Sequence, residues 1–224
     1  MNPIAQTFLD YLYRNVYRRW IRPAEPFDTS RVYWQDRYAK GGNSGAGAFD
    51  RTAIFKANLL NTFVQEQQIQ TVIEHGCGDG NQLRLAHYPA YIGFDISDTA
   101  LTLCRQRFAN DPSKRFLHTD TYTNEQAELA LSLDVIYHLI EDAVFEAYMI
   151  RLFGSATRFV IIYSSNTNLQ APHQEPHVKH RHCTAWVELH QPAWQLIHHI
   201  PNEFPVSLYP HEGSFADFFV YARR

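Results

Sequence analysis

The stretch TVIEHGCGDGNQL, residues 71–83, decides how this chain is read. TVIEH is a short apolar strand, and glycines at 76, 78 and 80 follow it directly. A chain that leaves a strand in a tight bend and brings its backbone close to a ligand needs positions without a Cβ. Glu74 stands two residues ahead of the first glycine, and Asp95 ends the next apolar run, AYIGFD at 90–95. An acid at that second strand end can accept hydrogen bonds from both hydroxyls of a ribose. The spacing also discriminates: a dinucleotide fingerprint needs glycine at position 81, where this chain has Asn81, and no GK[ST] follows as a P-loop requires.

Working outward, strands and helices alternate. RFLHTD (115–120), ELALSLD (128–134) and TRFVIIYSS (157–165) read as strands. SDTALTLCRQRFAN (97–110), opened by Ser/Asp capping chemistry, and EDAVFEAYMIRLF (141–153) read as helices. Another helix is expected directly after the glycine turn. Upstream, RTAIFKANLLNTFVQEQ reads as a helix with Asp50 as its cap and Ile54, Asn58, Leu59 and Phe63 winding around it. This alternation predicts an α/β, doubly wound parallel sheet covered on both faces. WQLIHHI (194–200) and SFADFFVYA (214–222) have no helix between them and are expected as an antiparallel closing pair. Residues 1–49 read as a helix over 4–20 followed by a Gly-rich segment, KGGNSGAGA at 40–48; residues 50–224 read as one domain with a polar, histidine-rich insertion at 164–193.

Composition narrows the classes. The chain has 224 residues, 20 Lys+Arg against 23 Asp+Glu, and a net charge of −3. That balance opposes a whole-surface nucleic-acid binder, which needs a basic footprint to displace counterions. No apolar run is long enough to span a bilayer, and the start MNPIAQTFLD does not read as a secretory signal. The three cysteines, Cys77, Cys104 and Cys183, lack CxxC spacing and fit a reducing, cytoplasmic setting. The arginine-rich arm YRNVYRRWIR (13–22) reads as a solvated helix face.

At this point the residues resemble a family. IEHGCGDG followed by YIGFDIS is similar to motif I and the post-β2 acid of class I S-adenosylmethionine-dependent methyltransferases. HTDTY (118–122) and LSLDVIYHLIED (131–142) resemble the adenine-side segment and the fourth motif of small-molecule members. YWQDRYAKGGNSGAGAFDRTAIFKANLLNTFV resembles the upstream segment of a bacterial, glycan-related subgroup. The resemblance implies a seven-stranded Rossmann-like sheet with its last strand antiparallel, and S-adenosyl-L-methionine as cofactor. It implies that the backbone of Gly76, Cys77 and Gly78 packs on the cofactor, with Glu74 near its amino-acid end. Asp95 would bind the ribose, Ile96 would lie against the adenine, and Asp120 and Thr121 would border it. Leu133 and Asp134 would line the crevice, and capping N–H groups at 80–82 would serve the carboxylate end. His75 stands where an apolar or small residue is usual.

The chemistry expected is methyl transfer to oxygen of a small-molecule or glycan acceptor. His138 is the candidate base, with Asp134 and Tyr137 as alternatives. His177, His180 and Arg181, from APHQEPHVKHRHCTAW with His173 and His182, are expected to face the acceptor, and no metal is assigned to them. Trp34, Arg37, Tyr38 and the GGNSGAG loop suggest a lid that brings Ser44 and Gly45 toward the donor. The other readings are an RNA or protein methyltransferase on the same fold and a catalytically silent cofactor-binding module.

Overall fold

The computed structural model describes residues 27–172, 174–209 and 213–224. The predicted helix at 4–20, the arginine arm and His173 lie outside them. Strands β1 (Thr71–His75), β2 (Ala90–Asp95), β3 (Lys114–His118), β4 (Ala127–Leu133), β5 (Ala156–Ser164), β6 (Trp194–Ile200) and β7 (Asp217–Arg223) form one sheet. Their spatial order is β3-β2-β1-β4-β5-β7-β6. β7 runs antiparallel to both β5 and β6, while the remaining pairs are parallel. The sheet is thus the expected doubly wound one with a single reversed strand.

Alternation along the strands builds two cores. On β5, Ile161 and Tyr163 enter one apolar cluster while Val160 and Ile162 enter the other. β7 does the same with Phe218 and Val220 against Phe219 and Tyr221, as a pleat with a two-residue period requires. Helices α2 (Asp50–Glu66) and α3 (Asp98–Arg107) cover the first face, through Leu60, Val64, Leu101 and Cys104. Helices α4 (Asp142–Gly154) and α5 (Cys183–His190) cover the second, through Met149, Leu152, Cys183 and Val187. A further helix, α1 (Ser30–Ala39), is capped by Thr29, whose side chain accepts the Val32 N–H. No helix among the described residues is long and apolar enough to cross a membrane.

Four expectations are corrected. The glycine turn leads into a single 3-10 turn, Gln82–Leu85, and not into an α-helix. Only Ala86–Pro89 then remain before β2, and the proline favours extended backbone just ahead of it. The N–H groups of Gly80 and Asn81 are given to Cys77 O and Asp79 Oδ1, so they are not left open as helix-capping donors. On α2 the buried face is Ala53, Lys56, Ala57, Leu60 and Val64, and Ile54 is 54% exposed. Apolar residues stand all around that helix, and its packing against the sheet selects one stripe of them. Finally, the 164–193 segment contains α5, whose Cys183 and Val187, one turn apart, tie it to the sheet.

The strand order places the candidate site. The chain winds outward from β1 to β3, then returns to lay β4 on the other side of β1. The connections therefore part at the carboxyl ends of β1 and β4, which opens a crevice there.

Candidate active site

A cavity of about 610 Å³ occupies that crevice. Of the residues singled out by sequence, it is lined by Glu74, Gly76, Cys77, Gly78, Asp95, Ile96, Asp120, Leu133, Asp134 and His138. Thr121, Tyr137, His177, His180 and Arg181 stand outside its wall.

The floor is the glycine turn. Gly76 has φ +88, and a Cβ there would collide with the Val135 side chain. Gly78 has φ +57, and a Cβ there would collide with Ser44 Oγ and approach Tyr38 Oη to 2.8 Å. Both positions need glycine for backbone conformation and for space. The Asp95 carboxylate accepts the N–H groups of Gly78 and Ser97, each at 2.9 Å, and so ties the turn to the end of β2. Burial raises its pKa, opposed by those same N–H donors. Glu74 accepts the Tyr91 hydroxyl at 2.6 Å on Oε2. Burial pushes the Glu74 carboxyl up to about 7, partly offset by that hydrogen bond. His75 packs against Phe94, its Nε2 3.0 Å from Ser155 Oγ, and burial lowers its pKa to about 3.

The roof comes from α1 and the loop after it. Ser30 donates from N and Oγ to the Glu141 carboxylate, at 2.9 and 2.6 Å. Arg31 makes a two-pronged pair with Asp120, at 3.0 and 2.6 Å. Ser44 donates to Asp79 Oδ1 at 2.8 Å, so the Tyr38 hydroxyl must be the donor in its 2.9 Å contact with Ser44 Oγ. Trp34, Tyr38 and Ser44 line the cavity. Arg37 does not; it donates instead to Asn43 O at 2.8 Å.

Asp134 follows β4 with φ +60, a rare conformation for a residue with a side chain. Its Oδ2 accepts from Lys56 Nζ at 2.5 Å and its Oδ1 from the Tyr137 hydroxyl at 2.7 Å. Lys56, 1% exposed, also lies over the Tyr163 ring at 5.2 Å. A Cβ on Gly47 would stand 2.7 Å from Asp134 Oδ2, so the roof loop closes directly on this pair. Sequence reading missed Lys56. Its only signal was its place on the stripe shared with Ala53, Leu60 and Val64.

The histidine-rich segment has a different place from the one expected. Arg181 is buried and donates to Leu139 O, to Ile140 O at 2.8 Å and to Asp142 Oδ1 at 2.8 Å. Lys179 donates from its backbone N to Tyr137 O at 2.8 Å and from Nζ to Asp142 at 2.7 Å. His180 Nδ1 contacts Ser165 Oγ at 2.7 Å. The segment braces the loop that follows β4, because carbonyls left outside regular structure there need donors. Within this brace the His177 carbonyl lies 2.8 Å from His138 Nδ1.

The wall suits a polar ligand carrying positive charge. Five carboxyl groups line it, those of Glu74, Asp95, Asp120, Asp134 and Glu141, against three basic side chains, Arg31, Lys56 and Arg151. Two buried wall atoms, His75 Nδ1 and Gln82 Oε1, have no hydrogen-bond partner among the described residues. A site with unmet donors or acceptors and several carboxylates fits the amino-acid sulfonium and nucleoside of the expected cofactor.

Comparison with known proteins agrees with this geometry. Residues 73–153 match the family described as "Methyltransferase domain". No curated protein matches the chain. Among solved structures, N-methyltransferase NodS from Bradyrhizobium japonicum WM9, in complex with S-adenosyl-L-homocysteine, superposes with TM-score 0.63 at 13% identity, over 88% of this chain and 99% of that one. Magnesium protoporphyrin IX methyltransferase (ChlM) from Synechocystis PCC 6803, with bound SAH, gives 0.58 at 14% identity, over 98% and 100%. The methyltransferase domain of bacterial CtHen1-C gives 0.59 at 16% identity, over 75% and 96%.

Proposed function

We propose that this chain, a class I S-adenosylmethionine-dependent methyltransferase, transfers its methyl group to an oxygen of a small-molecule or glycan-type acceptor. S-adenosylmethionine is the cofactor, and when bound it supplies an electrophilic methyl group on a sulfonium. Glu74, the Gly76–Gly78 backbone, Asp95 and Ile96 are the residues proposed to hold it. The roof of Trp34, Tyr38 and Ser44 keeps water away from the reacting end.

The neighbours' names include an N-methyltransferase and a 7-O-methyltransferase, so the acceptor atom has to be argued from this site. The observation that carries the argument is the imidazole of His138 in the same wall as the carboxylates; its burial lowers its pKa to about 4, which favours the neutral ring. A neutral hydroxyl that gains a methyl group becomes strongly acidic and must lose its proton. An imidazole within reach can take that proton late in the transfer, even when its own basicity is low. Asp134 is less suited to the task, since its carboxylate is already paired with the Lys56 ammonium and accepts the Tyr137 hydroxyl.

The test is release of demethylated cofactor against a panel of hydroxyl compounds and their amine analogues. Turnover with hydroxyl acceptors, reduced at least about a hundredfold in His138→Ala, is the expected result. Turnover confined to amines would overturn the oxygen assignment.

A further inference from the structure

The Nδ1 of His138 lies 2.8 Å from the carbonyl oxygen of His177. A carbonyl only accepts, so Nδ1 must carry the proton, and Nε2 keeps its lone pair. Nε2 has no partner among the described residues, and His138 lines the cavity. The His177 ring stacks on the His138 ring, with centroids 5.4 Å apart and planes 16° apart. The same ring also stacks on Tyr33 of α1, at 4.4 Å and 10°. Trp34, the next residue of α1, meets His138 edge-on at 4.8 Å. The roof helix and the brace therefore hold the imidazole from two directions.

We infer that His177 is a positioning residue. Its carbonyl selects the tautomer of His138, and its ring, clamped by Tyr33, fixes the imidazole so that Nε2 is presented to the acceptor. This rests on the oxygen-transfer reading above. In the proton step, the acceptor O–H bond breaks, its electron pair stays on the oxygen that bonds to the methyl carbon, and the proton passes to Nε2. His138 ends as an imidazolium that still donates from Nδ1 to the carbonyl.

The groups facing His138 agree with a ring kept neutral at rest. Burial lowers its pKa to about 4, the bond to the His177 carbonyl opposes that, and the nearby His177 and Arg37 lower it while Asp134 raises it. Tyr137 packs against the ring at 4.5 Å and is itself buried and protonated. A neutral base also avoids placing a second positive charge beside a sulfonium.

The inference is tested without an acceptor, by nitrogen-15 NMR of the histidine rings in the full chain with S-adenosyl-L-homocysteine bound. His138→Gln assigns the signal. The wild type is expected to show one tautomer, protonated at Nδ1, that stays neutral down to about pH 5. His177→Ala should move the titration midpoint upward by about one pH unit and broaden the tautomer signature, whereas His177→Phe, which keeps a stacked ring but not the neighbouring imidazole, should move it less and keep the single tautomer. Tyr33→Ala should act in the same direction as His177→Ala. Unchanged affinity for S-adenosyl-L-homocysteine shows that each variant is folded. A His138 that titrates near 6.5 in the wild type, carries its proton on Nε2, or is indifferent to both His177→Ala and Tyr33→Ala overturns the inference. Those outcomes leave the oxygen-transfer reading standing, because that reading fails only if no hydroxyl acceptor is turned over.

Discussion

Lys56 on α2 and Asp134 after β4 are 78 positions apart in sequence and meet at 2.5 Å, with the lysine side chain almost wholly out of solvent. This pair joins the roof-side helix to the carboxyl end of the sheet at the wall of the cavity. Removing one partner of a buried pair leaves the other uncompensated, while removing both removes the conflict.

Lys56→Met alone should therefore destabilise the fold by about 3 kcal/mol. Lys56→Met combined with Asp134→Asn should recover at least half of that loss. Urea unfolding of the three proteins measures both numbers, and equal loss in the single and double variants would show that the pair contributes packing only.

Asp95→Ala should weaken binding of S-adenosyl-L-homocysteine at least about tenfold, the scale of a hydrogen bond to a charged group. It also strips the Gly78 and Ser97 N–H groups of their acceptor, so the turn loosens. Isothermal titration decides: wild-type affinity in this variant would remove Asp95 from the cofactor site.

Gly78→Ala should be more harmful than Gly41→Ala, although both glycines have positive φ. A Cβ at Gly41 meets open space, whereas one at Gly78 meets Ser44 and Tyr38. The left-handed conformation should cost each variant about 1 kcal/mol. The clash should cost the Gly78 variant cofactor affinity as well. Parallel thermal melts and titrations separate the two effects.

Glu74 binds its proton more tightly in the folded chain, at about 7 against an ordinary 4.5, chiefly because it is buried. Its effect on stability is then most favourable below pH 4.5 and is lost progressively as pH rises to 7. Glu74→Gln should remove that slope and be more stable than the wild type at pH 8, by an amount of order 3 kcal/mol. Urea midpoints measured between pH 5 and pH 8 give the comparison, and parallel curves for the two proteins would contradict it.

The sheet was legible because its strands announce themselves through short apolar runs and the turn chemistry between them. TVIEH with its glycines, and the acid ending AYIGFD, mark the two strand ends that border the crevice. Two things were hidden. Lys56 belongs to a residue type that usually lies in water, and only the packing of α2 shows that it is enclosed. The polar composition of 164–193 concealed α5, which buries Cys183 and Val187 and packs Trp186 beside them. The same polarity suggested ligand contacts for Arg181, whose guanidinium is instead consumed by main-chain carbonyls and Asp142. Such bonds between distant segments leave no periodic trace in a sequence.

Tyr38 and Ser44 precede every strand of the described residues, yet they occupy the space that a side chain at Gly78 would need. The ceiling and the floor of the chamber were thus shaped against each other. A graft that carried only residues 50–224 into another protein would import a complete sheet with an uncovered basin. A transplant that keeps its ceiling has to include α1 together with its cap, Thr29.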